Sequence, residues 1–158
     1  RRSRRAVLTL LSEIVKYNHA LPVTKKHPAW SVGEAFLNLR RISRPGTSVF
    51  LISDFMGWES DSSKENLFKL SHHNEVTAIL CADPLEQQLP AAGYYSVTDG
   101  ANTSSLQTSA KVMRETFEKA AINRVEEIEN TMSRLGIPLL RASTHESELT
   151  LLQSFYGR

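Results

Sequence analysis

Apolar positions recur along this chain with two different periods. Val7, Leu10, Leu11, Ile14 and Val15 repeat at helical spacing, which predicts an amphipathic helix over about residues 6–18 with a polar outer face. Ser31-Val32-Gly33-Glu34 has the form of a capping box, in which a hydroxyl and a carboxylate satisfy free amide donors reciprocally. It predicts a second helix from Ser31 to about Ile42. After the break at Ser43-Arg44-Pro45-Gly46, the run Ser48-Val49-Phe50-Leu51-Ile52-Ser53 is apolar without alternation, the pattern of a strand buried on both faces. Ser62-Ser63-Lys64-Glu65 reads as another capping box, opening a short helix that carries Leu67, Phe68 and Leu70. Val76 to Ala82 is a second continuous apolar strand. Two such strands joined by a helix predict a parallel βαβ unit with helices on both faces of its sheet, and so an α/β fold.

The second half is more polar. Tyr95 to Thr98 and Asn102 to Gln107 flank Asp99-Gly100 as a hairpin, an edge or an excursion from the main sheet. Met113, Phe117, Ala121, Val125, Ile128, Met132 and Leu135 recur every three or four residues, predicting one long helix or two nearly continuous ones over residues 109–135, closed by Gly136. Ile137 to Leu140 reads as a short third strand, in which Pro138 points to the strand's start or an edge. Ser143-Thr144-His145-Glu146 then reads as a capping box for a last helix with Leu149, Leu152 and Phe155.

Composition narrows the classes. With 158 residues, 41% apolar and 23% charged, the chain can bury the core of one domain spanning residues 1–158 and is not mainly disordered. No apolar stretch approaches the ~18 residues of a membrane span, and no signal-like core is present. The formal charge is +2, but four arginines fall in residues 1–5; setting them aside leaves 15 basic against 17 acidic residues, a net of −2. A basic terminal segment on an acidic body is not the footprint of a nucleic-acid binder. It is a solvated end, or a juxtamembrane stretch if the parent protein is anchored by segments upstream of Arg1. The lone Cys81 lies in an apolar run, as expected of a small buried hydrophobe in the reducing cytoplasm.

Ligands of parallel α/β sheets gather beyond the carboxyl ends of the strands, where Asp54 and Asp83 directly follow the two apolar runs. Either could help hold a hard divalent ion, or could simply cap its own turn. His72 and His73 are adjacent and diverge on a helix, so they suit a helix end better than a chelate; His19, His27 and His145 are scattered and compose no zinc set. The sequence holds no G-x-S-x-G, G-x-x-x-x-G-K-S/T or G-x-G-x-x-G, which removes the usual support for serine hydrolase, nucleotide hydrolase and dinucleotide oxidoreductase readings.

Pro45 to Phe55, with its Ile-Ser-Asp-Phe ending, together with Glu75-Val76, Ala82-Asp83-Pro84-Leu85-Glu86, Leu89-Pro90 and Gly93, resembles the bacterial domain-of-unknown-function family 58. The resemblance runs from roughly Ser31 to the carboxyl end. It implies a doubly wound, Rossmann-like sheet of von Willebrand factor type A kind, here with the amino-terminal strands missing. It also implies a protein partner, commonly a MoxR-type AAA+ ATPase, rather than a substrate. Metal-competent relatives bind Mg²⁺ through D-x-S-x-S, a threonine and an aspartate. Asp54 matches the aspartate, Ser31 stands near the threonine position, and D-x-S-x-S is absent, so the metal site is degenerate and any Mg²⁺ belongs to the full-length parent. The docking face this implies is Asp54, Asp83 and Glu86. A sheet lacking its opening strands would expose an edge suited to homodimer pairing. The rival function is a Mg²⁺-dependent hydrolase using the strand-end carboxylates.

Overall fold

In the computed structural model the described residues are 4–20, 32–98 and 102–157. They fall into two compact units, one within Arg1–Ala29 and Ser96–Ser105, the other within Trp30–Tyr95 and Leu106–Arg158. The first unit contains helix α1 (Arg4–His19). The predicted helix forms, two residues longer at its start, but no residue in it is buried. Leu8, Leu10, Leu11 and Ile14 are all more than half exposed.

The second unit carries the main sheet. After α2 (Val32–Ile42), β1 (Ser48–Ser53), α3 (Asp61–His73) and β2 (Glu75–Ala82) form the expected parallel βαβ unit. A short α4 (Pro84–Gln87) leads to β3 (Tyr94–Thr98) and β4 (Thr103–Gln107), a separate two-stranded sheet and thus an excursion; the Asp99-Gly100 turn lies outside the described residues. The long α5 (Lys111–Arg134) ends at Gly136, whose φ of 66° is the left-handed conformation a helix stop favours. Strand β5 (Leu139–Ser143) then joins β2 in parallel, giving the order β1-β2-β5, and α6 (Glu148–Tyr156) follows.

Register fixes which side chains share a face. Val49 and Leu51 pair with Val76 and Ala78, and Leu80 lies on the same side. All five are buried in one core with Phe36, Leu67, Leu70, Ile128 and Met132, which come from α2, α3 and α5. The opposite face of β1 is bare, with Phe50 56% and Ile52 67% exposed. This corrects the expectation of a strand buried on both faces. The strand order explains why: both crossovers advance in the same direction, and right-handed connections of that kind put their helices on one side of the sheet. Only toward β5 does the second face close, where Leu140, in register with Ile79, is 3% exposed.

Two predicted caps also move. The N-cap of α3 is Ser60, whose side chain accepts from the Ser63 amide; the box predicted at Ser62 to Glu65 lies inside the helix. β5 runs on to Ser143, so α6 starts at Glu148 behind Ser147, which makes no side-chain capping bond. Ser31, the predicted cap of α2, lies outside the described residues.

α2 and α3 pack closely because residue 33 has no side chain. A Cβ there would collide with the Ser63 hydroxyl, which is buried and bonded to Ser60 Oγ at 2.7 Å. Gly33→Ala is therefore expected to lower unfolding stability by about 1–3 kcal/mol in urea titrations. Ile52→Ser, on the bare face, should change it by no more than about 0.5 kcal/mol. A large loss for Ile52→Ser would mean that this face is covered.

Candidate functional site

Because β1, β2 and β5 are parallel and in register, their carboxyl ends share one edge: Ser53 stands opposite Leu80, and Ala82 opposite Ser143. Asp54 and Asp83 follow two neighbouring strands there, as the sequence implied. The turn after β1 is unusual. Phe55 has φ of 55°, a left-handed conformation that costs a non-glycine residue on the order of 1–2 kcal/mol, yet its ring is fully buried. The chain has to leave the sheet and drop an aromatic ring into the core within one residue, and the surrounding contacts hold it there. The Phe55 ring meets Trp58 edge-on at 6.4 Å, and the Phe55 amide donates to Ser53 Oγ at 3.0 Å. Asp54 Oδ1 accepts from the Met56 amide at 3.0 Å, and Arg124 of α5 donates through Nη2 to the Asp54 carbonyl at 2.6 Å. Asp54 itself is exposed, its backbone clamped and its carboxylate at the surface.

Asp83 is a working cap. Its Oδ1 accepts from the Leu85 amide at 2.9 Å, and its own amide donates to Glu86 Oε2 at 3.5 Å, so Asp83 and Glu86 form a capping box around α4. Its Oδ2 accepts from Thr144 Oγ1, in the turn after β5, at 2.7 Å. The Thr144 hydroxyl, then the Leu85 amide, hold the Asp83 carboxyl below the ordinary aspartate range.

Behind these turns, between the ends of β2 and β5 and helix α5, lies a cleft of about 510 Å³. Leu80, Ala82, Ala121, Ile122, Val125 and Ala142 give it an apolar lining, and Glu126, Glu129, Arg141, Ser143, His145 and Glu146 its polar one. Arg141 Nε donates to Glu129 Oε1 at 2.6 Å, and Ser143 Oγ lies 2.6 Å from His145 Nδ1. Among the described residues no carboxylate is hydrogen-bonded to His145, so the pair lacks the orienting third group of a hydrolytic triad. Cys81 is half-buried, and burial, helped by the negative charge of Asp54, pushes its thiol up, which keeps it protonated and a poor nucleophile at neutral pH.

The metal reading finds little to build on. Among the described residues no three His, Cys, Asp or Glu side chains come together as a cation site, Ser31 lies outside them, and Asp54 Oδ1 is engaged by its own turn. These residues do not fit a Mg²⁺ site. His72 and His73 occupy the last turn of α3, as predicted for a helix end. Sequence reasoning missed Arg124, Arg141 and Thr144. Each acts on a partner far along the chain, and only the strand-end position of Ser143 and Thr144 could have hinted at the last.

Fold and site together define an α/β protein whose parallel strands end in a row of acidic turns. The chain belongs to the family described as Protein of unknown function DUF58, whose model matches residues 1–127. That span includes α1 and stops within α5, so it begins earlier and ends earlier than the resemblance over about residue 31 to the carboxyl end had suggested. No curated protein and no solved structure matches the chain.

Because the folded Asp83 has the lower pKa, its capping bonds add stability above the unfolded aspartate value, and this is lost as pH falls through the folded value. Thr144→Val should move the Asp83 titration, followed by carboxyl NMR, up toward the ordinary range and shift the onset of acid unfolding to higher pH. An unchanged titration would mean that the Thr144 contact does not form.

Proposed function

We propose that this chain is a non-enzymatic protein-interaction module of von Willebrand factor A-like kind that docks a partner protein at its strand-end edge. The observation that carries the reading is the pairing of two rigid acidic turns on adjacent parallel strands, with Asp54 exposed on a clamped backbone and Asp83 and Glu86 locked in a capping box. Such an edge offers a fixed pattern of negative charge for recognition. Among the described residues the Ser143–His145 pair beside it has no hydrogen-bonded carboxylate to orient it, which favours recognition over hydrolysis. The partner implied by the family resemblance is a MoxR-type AAA+ ATPase, acting with this chain in the assembly or maturation of other proteins. The outer edge of β1, which pairs with no other described strand, also favours pairing with a second copy.

The test is capture of a co-expressed MoxR-type ATPase by the intact chain, run alongside calorimetric titration with Mg²⁺ and a phosphate-ester turnover assay. Capture that drops about tenfold or more in the Asp54→Ala, Glu86→Gln double variant, a loss of the size expected for charged groups at an interface centre, supports the interaction role. Saturable Mg²⁺ binding accompanied by ester turnover, both abolished by Asp54→Ala, would replace it with the hydrolase.

A further inference from the structure

We infer that the cleft between the carboxyl ends of β2 and β5 and helix α5 receives a short peptide segment of a partner, one that presents apolar side chains next to lysine or arginine. This rests on the proposed interaction role and gives that role a specific pocket and a partner chemistry.

The cleft's volume, about 510 Å³, lies within the range of sites that bury small ligands or a few side chains. Its floor comes from both the sheet and the helix. Leu80 and Ala82 project from β2 on the core side, Ala142 belongs to β5, and Ala121, Ile122 and Val125 face them from α5. Small residues at 82 and 121 leave the space open, and Ile122 is 51% exposed beside it. An apolar floor of this kind gains from covering by an apolar side chain and gives a free polar metabolite little to hold.

The rim supplies the sign of the charge. Glu126, Glu129 and Glu146 line it, and its one arginine, Arg141, is engaged by Glu129. Among the described residues Glu126 and Glu146 form no ion pair, while His145 is hydrogen-bonded to Ser143. Asp83, held in its ionised form, stands at the same strand-end edge through its bond to Thr144. An anionic ligand would meet this field unfavourably. A lysine or arginine beside an apolar anchor would satisfy rim and floor together. A bare metal ion would find no three-ligand set here.

The experiment is fluorescence polarisation of a labelled peptide of alternating leucine and arginine with the intact chain. Peptides of serine–arginine and leucine–glutamate serve as controls. Binding of the leucine–arginine peptide should exceed both controls by about tenfold or more, the value of one well-buried leucine. Ala121→Trp, which fills the cleft, should abolish it. Glu126→Gln with Glu146→Gln should weaken it by about fivefold and flatten its salt dependence. Glu65→Gln, on the exposed side of α3, should leave it unchanged. Should Ala121→Trp fail to fold, the double glutamine variant still decides the matter. Equal binding of the serine–arginine peptide, or indifference to the Glu126/Glu146 substitutions, would reduce the effect to adsorption of polycations and overturn the inference. Capture of the ATPase through Asp54 and Glu86 without peptide binding would sink the cleft alone. Loss of that capture together with ester turnover would sink the interaction role instead.

Discussion

The parallel register of β1, β2 and β5 governs both what the sheet buries and what it displays. One alternation of side chains, from Val49 through Ala78 to Leu80, meets Leu67, Leu70, Ile128 and Met132 and makes a dry core. Burying a large apolar side chain contributes roughly 1.5–3 kcal/mol, so this shared face outweighs any single surface contact. The same register lines up the three strand ends, which is why Asp54, Asp83 and Thr144 fall along one edge. A slip of one residue in any strand would send its core side chains to the bare face and pull its terminal turn out of the row.

Much of this was legible in the amino-acid pattern, for a physical reason. Continuous apolar runs and three-to-four spacing mark strands and helices locally, so β1, β2, α1 and α5 could be placed within a few residues. What the pattern could not express was coverage. Phe50 and Ile52 are as apolar as Val49 and Leu51, and an apolar run does not record how many of its faces a helix reaches. That depends on the direction in which successive crossovers advance, a property of the whole sheet. The caps failed for a related reason. Ser60, Ser62 and Ser63 are chemically alike, so residue type alone could not single out Ser60 as the cap of α3. The site was half legible. Asp54 and Asp83 stood out because they follow strands, whereas Arg124 and Arg141 are unremarkable charges on long-range partners.

On the proposed reading, Asp83 would combine its capping role with recognition of a partner. The bonds that tie its carboxylate to Leu85 and Thr144 keep it ionised and fix its direction, so a partner docking as proposed would meet a preorganised charge. Asp54 reaches the same end by another route, because the strained Phe55 backbone and the Arg124 clamp hold its turn while the carboxylate faces solvent. The Asp54 turn is held by the Phe55 ring in the core and by Arg124 of α5, and the Asp83 turn by its capping box and Thr144.

The helix α5 therefore serves two functions with different parts of its surface. Ile128 and Met132 fasten its second half into the core, while Arg124 grips the Asp54 turn and Glu126 and Glu129 edge the cleft. Since one rigid element joins turn and cleft, a partner seated in the cleft would sense the position of the Asp54 turn through α5 itself. On the proposed reading the two surfaces would form one extended edge, joined by α5.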